Sequence, residues 1–264
     1  AVALVHAARW IAVIRSCGGT LAFGKALKFV LIGHFFNQTL PSSVGGDAMR
    51  IWCAYRAGFT LAHATGTVVL DRMMTLVALL IATGAMLPWL FALVPDAAAR
   101  WALSVVVIAG LAGFLVFVSV RRLPEFLARW RPVGALLKLA GLARRLVMTP
   151  RYGLPVLGLS ILGYGVFALI VFLLGRGLAV PLTLAQCLVL VPPVILATVV
   201  PVSIAGWGVR EGAMVVALGH VNVPPTDAFA ISVLFGVVLV VASLPGSLLW
   251  WAGSPKATDG AVSV

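Results

Sequence analysis

Pro41-Ser42-Ser43-Val44-Gly45-Gly46-Asp47-Ala48-Met49-Arg50 lies between two apolar runs, and 160 residues later Pro201-Val202-Ser203-Ile204-Ala205-Gly206-Trp207-Gly208-Val209-Arg210 does the same. Pro, Ser, Gly and Arg coincide at four of the ten positions, and Val44 matches Ile204 in kind. Proline removes a backbone donor and glycine admits unusual dihedrals, so each stretch ends a helix. Broken backbone at membrane depth survives only where protein or a wet cavity satisfies it. Paired Gly/Pro-interrupted segments in two halves of a membrane chain point to a binding site between them. A fresh helix after Gly46 or Gly206 aims free N–H groups at the break, and Arg50 and Arg210 follow one turn later, a setting suited to an anion. The competing reading makes both stretches cytoplasmic turns with snorkelling arginines.

The rest of the chain supplies the membrane. Of 264 residues, 62% are hydrophobic and 10% are charged, against about 25% charged in ordinary soluble domains. That ratio excludes a soluble enzyme, a disordered chain and a disulfide scaffold. The net charge of +12 is no nucleic-acid signature, because the basic residues sit between apolar runs rather than on one polar face.

Crossing a bilayer core takes about 20 helical residues. Met73 to Val94 (extended upstream by Ala64 to Leu70), Trp101 to Val120, Tyr152 to Gly175 and Ala228 to Pro255 reach that length. Gly177 to Val209 fits one span plus a loop, Gly19 to Leu40 is apolar but carries Lys25 and Lys28, and Gly212 to Val223 is short enough to be half a span. The expectation is an all-α, polytopic transmembrane bundle of six or seven membrane segments. Its two Pro/Gly-interrupted stretches form an internal repeat, inverted or parallel, and are candidates for re-entrant segments.

The connection from Arg121 to Arg151 holds eight basic residues against Glu125, so the positive-inside bias assigns it to the cytoplasm. Gly45 to His63 and Ser203 to Glu211 then also fall inside, while the turns near Pro95, Arg176 to Pro181 and His220 to Asp227 fall outside. The 121–151 connection also reads as a partly amphipathic helix on anionic headgroups. Ala1 to Ile14, interrupted by His6 and Arg9, lacks signal-peptide order and reads as a short interfacial helix or the remnant of a longer protein.

Ionisable residues within apolar stretches are costly, and usually paired inside the bundle. Asp71-Arg72 and Arg210-Glu211 are such residues, and Asp47 and Arg50 form an i, i+3 pair. Neighbours on a helix point about 100° apart, so Asp71 and Arg72 need partners from other segments. The expected network joins Asp47, Arg50, Asp71, Arg72, Arg210 and Glu211 near the cytoplasmic side, as a substrate cavity or as a pin between helices. Cys17, Cys53 and Cys187 are scattered and without metal spacing. The four histidines read as packed or interfacial, though His34, three residues before Asn37, could line a polar cavity.

Asn37-Gln38-Thr39-Leu40-Pro41, then Gly45-Gly46-Asp47 and Arg50, then Asp71-Arg72, then Gly206-Trp207-Gly208-Val209-Arg210-Glu211-Gly212 resemble, in order and spacing, the lysylphosphatidylglycerol synthase transmembrane-region family. The resemblance covers roughly Ala1 to Trp251. It implies an all-helical bacterial inner-membrane protein, kin to the lipid-translocating half of multiple-peptide-resistance proteins and to stand-alone members of unassigned substrate, some linked to hopanoid or glycolipid pathways. It further implies a flippase-like domain over 1–251, truncated at its N-terminus; the Gly/Ser/Pro/Asp-containing stretch over 252–264, with Lys256, reads from composition and charge bias as a flexible cytoplasmic tail.

The leading expectation is therefore a flippase or flippase-like transporter for a phospholipid, aminoacyl-lipid or glyco/isoprenoid-lipid headgroup. Arg50 and Arg210 hold the phosphate. Asp47, Asp71 and Glu211 balance them or accept a cationic headgroup, and Asn37 and Arg72 complete the binding set. Pro41, Gly45, Gly46, Pro201, Gly206 and Gly208 form the backbone hinges. No phosphate-binding Gly-x-x-x-x-Gly-Lys-Ser/Thr loop occurs, and no cofactor, metal or nucleic-acid partner is expected. Membrane lipids are the partners, with a lipid-modifying synthase or glycosyltransferase as a further one. The rival expectations are a membrane-embedded enzyme on lipid-linked intermediates, with Asp47, Asp71 and Glu211 as acid/base groups, and a non-catalytic accessory subunit docked through 121–151.

Overall fold

A computed structural model describes residues 1–40, 45–120, 131–199 and 206–252. Pro41, Pro201, the connection 121–130 and the tail beyond Ala252 lie outside them. Among the described residues there are ten helices and no strands. They are α1 (Val2–Ser16), α2 (Phe23–Thr39), α3 (Gly45–Arg56), α4 (Leu61–Leu93), α5 (Ala97–Ser119), α6 (Arg131–Met148), α7 (Pro150–Gly177), α8 (Leu184–Ala197), α9 (Val209–Gly219) and α10 (Pro225–Trp251).

Four of these, α4, α5, α7 and α10, are long and apolar enough to cross a membrane. α4 runs unbroken for 33 residues and carries Asp71 and Arg72 in its first half. The expected span within 177–209 is corrected: α8 has 14 residues, about 21 Å of helix, too short for a hydrocarbon core of about 30 Å. α9, with 11 residues, is likewise too short to cross. α2 and α3, with 17 and 12 residues, form the matching short pair.

The repeat extends beyond the ten-residue echo. At the same offset α1, α2, α3 and α4 correspond to α7, α8, α9 and α10. Contacts within the first set, α1 with α2, α2 with α3, α3 with α4 and α1 with α4, recur within the second. Across the halves α2 packs on α10 and α8 on α4, while α1 packs on α7. The α1–α7 pair is antiparallel: Gly163 faces His6 and Val5, whereas the other end of α1, at Val13 and Cys17, shares a cluster with Tyr152 and Val156 at the start of α7. The halves are thus inverted.

Consequently the two short hairpins enter from opposite faces. α3 returns to the face where α1 ends, since Phe59 and His63 meet Gly19 there. α8 starts at the opposite face, with Val189 beside Leu90 and Val94 at the end of α4, and reaches the middle of the bundle, with Ile195 against Ala78, Leu79 and Tyr164. Residues 206–211 therefore sit at the inner end of a hairpin from the second face. The expected cytoplasmic turn on the side of Gly45 to His63 is corrected.

α1 is corrected as well. It is no interfacial helix: Ala7, Arg9, Trp10, Ile11, Val13 and Ile14 are buried. α6 is an amphipathic basic helix whose Ala140, Ala143 and Leu146 are buried. Its Arg144 donates from Nε to Val118 O and from Nη2 to Val120 O, both at 2.7 Å, satisfying carbonyls left open at the end of α5.

Candidate functional site

The first hairpin closes because two glycines let its helices touch. A Cβ on Gly46 would overlap Gly33 O and lie 2.5 Å from the Asn37 side chain. Asn37 Oδ1 instead accepts a hydrogen bond from Gly46 N at 2.9 Å, capping the start of α3. Asn37 thus has a structural task that its expected place in the binding set did not include.

Beyond this cap a charged network joins α1, α3 and α4. Asp71, fully buried on α4, accepts from Arg9 Nε at 2.8 Å, Arg9 Nη2 at 3.1 Å and Arg50 Nη2 at 3.0 Å. Arg50 also reaches Asp47 Oδ1 at 3.4 Å. Asp47 Oδ2 in turn accepts from Arg72 Nε at 2.5 Å. Asp71 and Arg72 find their partners on other segments, as their divergence along α4 requires. Arg9 is a member that sequence reasoning missed, although an arginine inside the apolar run of α1 was a signal of the same kind.

Exposure divides the arginines. The side chains of Arg9 and Arg50 are 4% and 7% exposed, whereas that of Arg72 is 47% exposed. Arg50 is locked further by stacking over the Trp10 ring, 4.4 Å from its centroid. Two buried donors in this stack, Arg50 Nε and Trp10 Nε1, have no hydrogen-bond partner among the described residues.

The second hairpin repeats the motif with different wiring. Gly206 and Gly208, at φ +83° and +85°, turn the chain into α9 through a region that favours glycine. Glu211 then reaches back to accept a hydrogen bond from Gly208 N. Its Oε1 also accepts from Arg210 Nη2 at 2.7 Å, Arg210 Nε at 3.1 Å and the Ser232 hydroxyl at 3.4 Å. Arg210 stacks over Trp207, 4.7 Å from the ring centroid. A groove of about 670 Å³ opens beside this cluster between α9 and α10, lined by Trp207, Glu211, Val215, Val216, Phe229 and Val233.

The six expected ionisable residues therefore form two clusters. Asp47, Arg50, Asp71 and Arg72 meet, with Arg9 added. Arg210 and Glu211 pair with each other, and among the described residues no ion pair links them to the first set. The expected single network is corrected, because the hairpins enter from opposite faces. Among the described hinges Gly45 starts α3, Gly46 makes the close contact, and Gly206 and Gly208 make the turn. Pro41 and Pro201 lie outside the described residues. No group of three or more His, Cys, Asp or Glu suited to a metal ion occurs among the described residues.

The family model described as "Lysylphosphatidylglycerol synthase TM region" matches residues 1–246. No curated protein and no solved structure matches the chain.

Proposed function

We propose that this chain, which belongs to the lysylphosphatidylglycerol synthase transmembrane-region family, is a flippase that carries a lipid phosphate headgroup past the inner end of its first hairpin. The family places it among multi-pass membrane proteins of lipid modification or transport. The side chain of Arg72, half-exposed along its length and held at 2.5 Å by Asp47, carries the finer reading. In this network three guanidiniums face two carboxylates, so one positive charge is in excess. Arg72 is the member placed to meet a ligand.

A headgroup phosphate competes with Asp47 for Arg72 through charge-assisted hydrogen bonds. The unpartnered donors Arg50 Nε and Trp10 Nε1 offer further bonds to an oxygen close to them. Arg50 and Arg210, expected to be the phosphate holders, are committed to Asp71 and Glu211, so the primary contact moves to Arg72. The acyl tails stay in lipid. The reading implies the cytoplasmic membrane of a bacterium, membrane lipids as ligands, transport rather than bond-making chemistry, and a lipid-modifying synthase or glycosyltransferase as the source of the cargo.

The test uses the purified chain in proteoliposomes with fluorescent phosphatidylglycerol in one leaflet. The expected result is faster exchange between leaflets than in protein-free vesicles, with the lipid recovered chemically unchanged. Exchange at the protein-free rate overturns the reading. A modified lipid turns it toward the membrane-embedded enzyme.

A further inference from the structure

Next to the arginine network His6 Nδ1 and His34 Nε2 lie 2.9 Å apart, with the rings edge to face. His6 is on α1 and His34 on α2, and both are partly buried. The hydrogen bond requires one ring to donate and the other to accept, so a neutral pair has one proton between the two nitrogens. A second proton would make a cation, which the pair can hold by sharing its hydrogen bond. Two added protons would break it.

The surroundings set the cost of that cation. Facing the pair are Arg9 on the helix of His6, Arg50 on α3 and Arg72 on α4; Asp71 is paired with Arg9 and Arg50, and Asp47 with Arg50 and Arg72. From α7 come Gly163 and Tyr164, whose hydroxyl donates to Thr75 O at 3.0 Å. Arg151 and Arg176 lie near the ends of α7, and the charged residue of α10, Asp227, is at its start. On α6 Arg144 is committed to α5, Arg145 acts on Cys17 at the far end of α1, and Lys138 lies on the same helix. The pair therefore sees three guanidiniums, whose own counter-charges are the two carboxylates Asp47 and Asp71. An anion on Arg72 cancels the excess charge and lowers the cost of a proton on the imidazoles.

We infer that the His6–His34 pair is a proton site linked to the anion site at Arg72, so that binding of a lipid phosphodiester takes up a proton. This inference rests on the proposed headgroup site and names a coupling ion for it. By reciprocity, protonation of the pair tightens anion binding by the same factor. A proton gradient across the membrane would then bias the direction of lipid movement.

The probe is glycerophosphoglycerol, whose phosphodiester does not titrate near neutrality. Its binding to the full chain in detergent is measured calorimetrically in two buffers of different ionisation enthalpy. The expected result is a buffer-dependent heat corresponding to net proton uptake. His6→Gln and His34→Gln should still bind the probe but lose the buffer dependence. Arg72→Gln should lose binding, and histidine NMR should show its imidazole pair protonating at higher pH without any anion. Wild-type binding with no proton uptake overturns the linkage and leaves the headgroup site standing. Uptake that persists in both histidine variants overturns the assignment to this pair. No wild-type binding at all removes the headgroup site and the linkage with it.

Discussion

Arg50 and Arg210 occupy equivalent places in an inverted repeat, yet they are neutralised in different ways. Each lies in the first turns of a short inner helix and stacks on a tryptophan, Trp10 or Trp207. The carboxylate for Arg50 comes from another helix, 21 residues on, and is shared with Arg9. The carboxylate for Arg210 is its chain neighbour Glu211, and the long helix contributes only Ser232, again 21 residues on from Glu211. The first arrangement ties three helices together and leaves a surplus cation. The second closes one charge on itself and braces a turn. One repeated plan thus carries a shared, charge-surplus network in one half and a self-neutralised turn in the other.

The sharpest way to break this comparison is to remove one carboxylate at a time. Asp71→Asn leaves two buried arginines without their main counter-charge, and breaking a buried pair costs about 3–5 kcal/mol. The variant should lose most of its folded yield in detergent, read by thermal unfolding. Glu211→Gln strands one arginine that keeps its stack on Trp207, and the amide still accepts one hydrogen bond. Its loss should be smaller, about 1–3 kcal/mol. Equal losses would mean that the two halves are wired alike.

Glycines give a weaker contrast. Gly46→Ala pushes against Gly33 and Asn37, and overpacking of this kind costs about 1–3 kcal/mol. Gly212→Ala on α9 meets nothing within 4 Å, so it should be neutral or gain up to about 1 kcal/mol from helix propensity. A smaller stability change than that of Asp71→Asn belongs to Arg72→Gln: its side chain is half-exposed and its partner Asp47 keeps Arg50 at 3.4 Å, so its melting temperature should fall less.

Much of this was legible in the sequence. The four long helices follow from apolar length, and the two hairpins from Pro41–Arg50 and Pro201–Arg210. The separation of Asp71 from Arg72 follows from helical geometry alone. What was not legible depends on direction. Charge bias in the connections placed both breaks on one side, because Arg210 counts as a loop arginine until its burial is known. Arg9 and the His6–His34 contact were hidden because pairing across 62 and 28 residues leaves no local pattern. The role of Asn37 was hidden because a cap nine residues away needs the hairpin to exist first.

The most direct measurement is leaflet exchange of fluorescent phosphatidylglycerol by Arg72→Gln and Glu211→Gln, reconstituted side by side at equal amounts of folded protein. Arg72→Gln should lose at least tenfold in rate, equivalent to about 1.4 kcal/mol in barrier, while Glu211→Gln keeps most of the parent rate. Full exchange by Arg72→Gln, with the loss falling on Glu211→Gln instead, would contradict the assignment of headgroup binding to the first half.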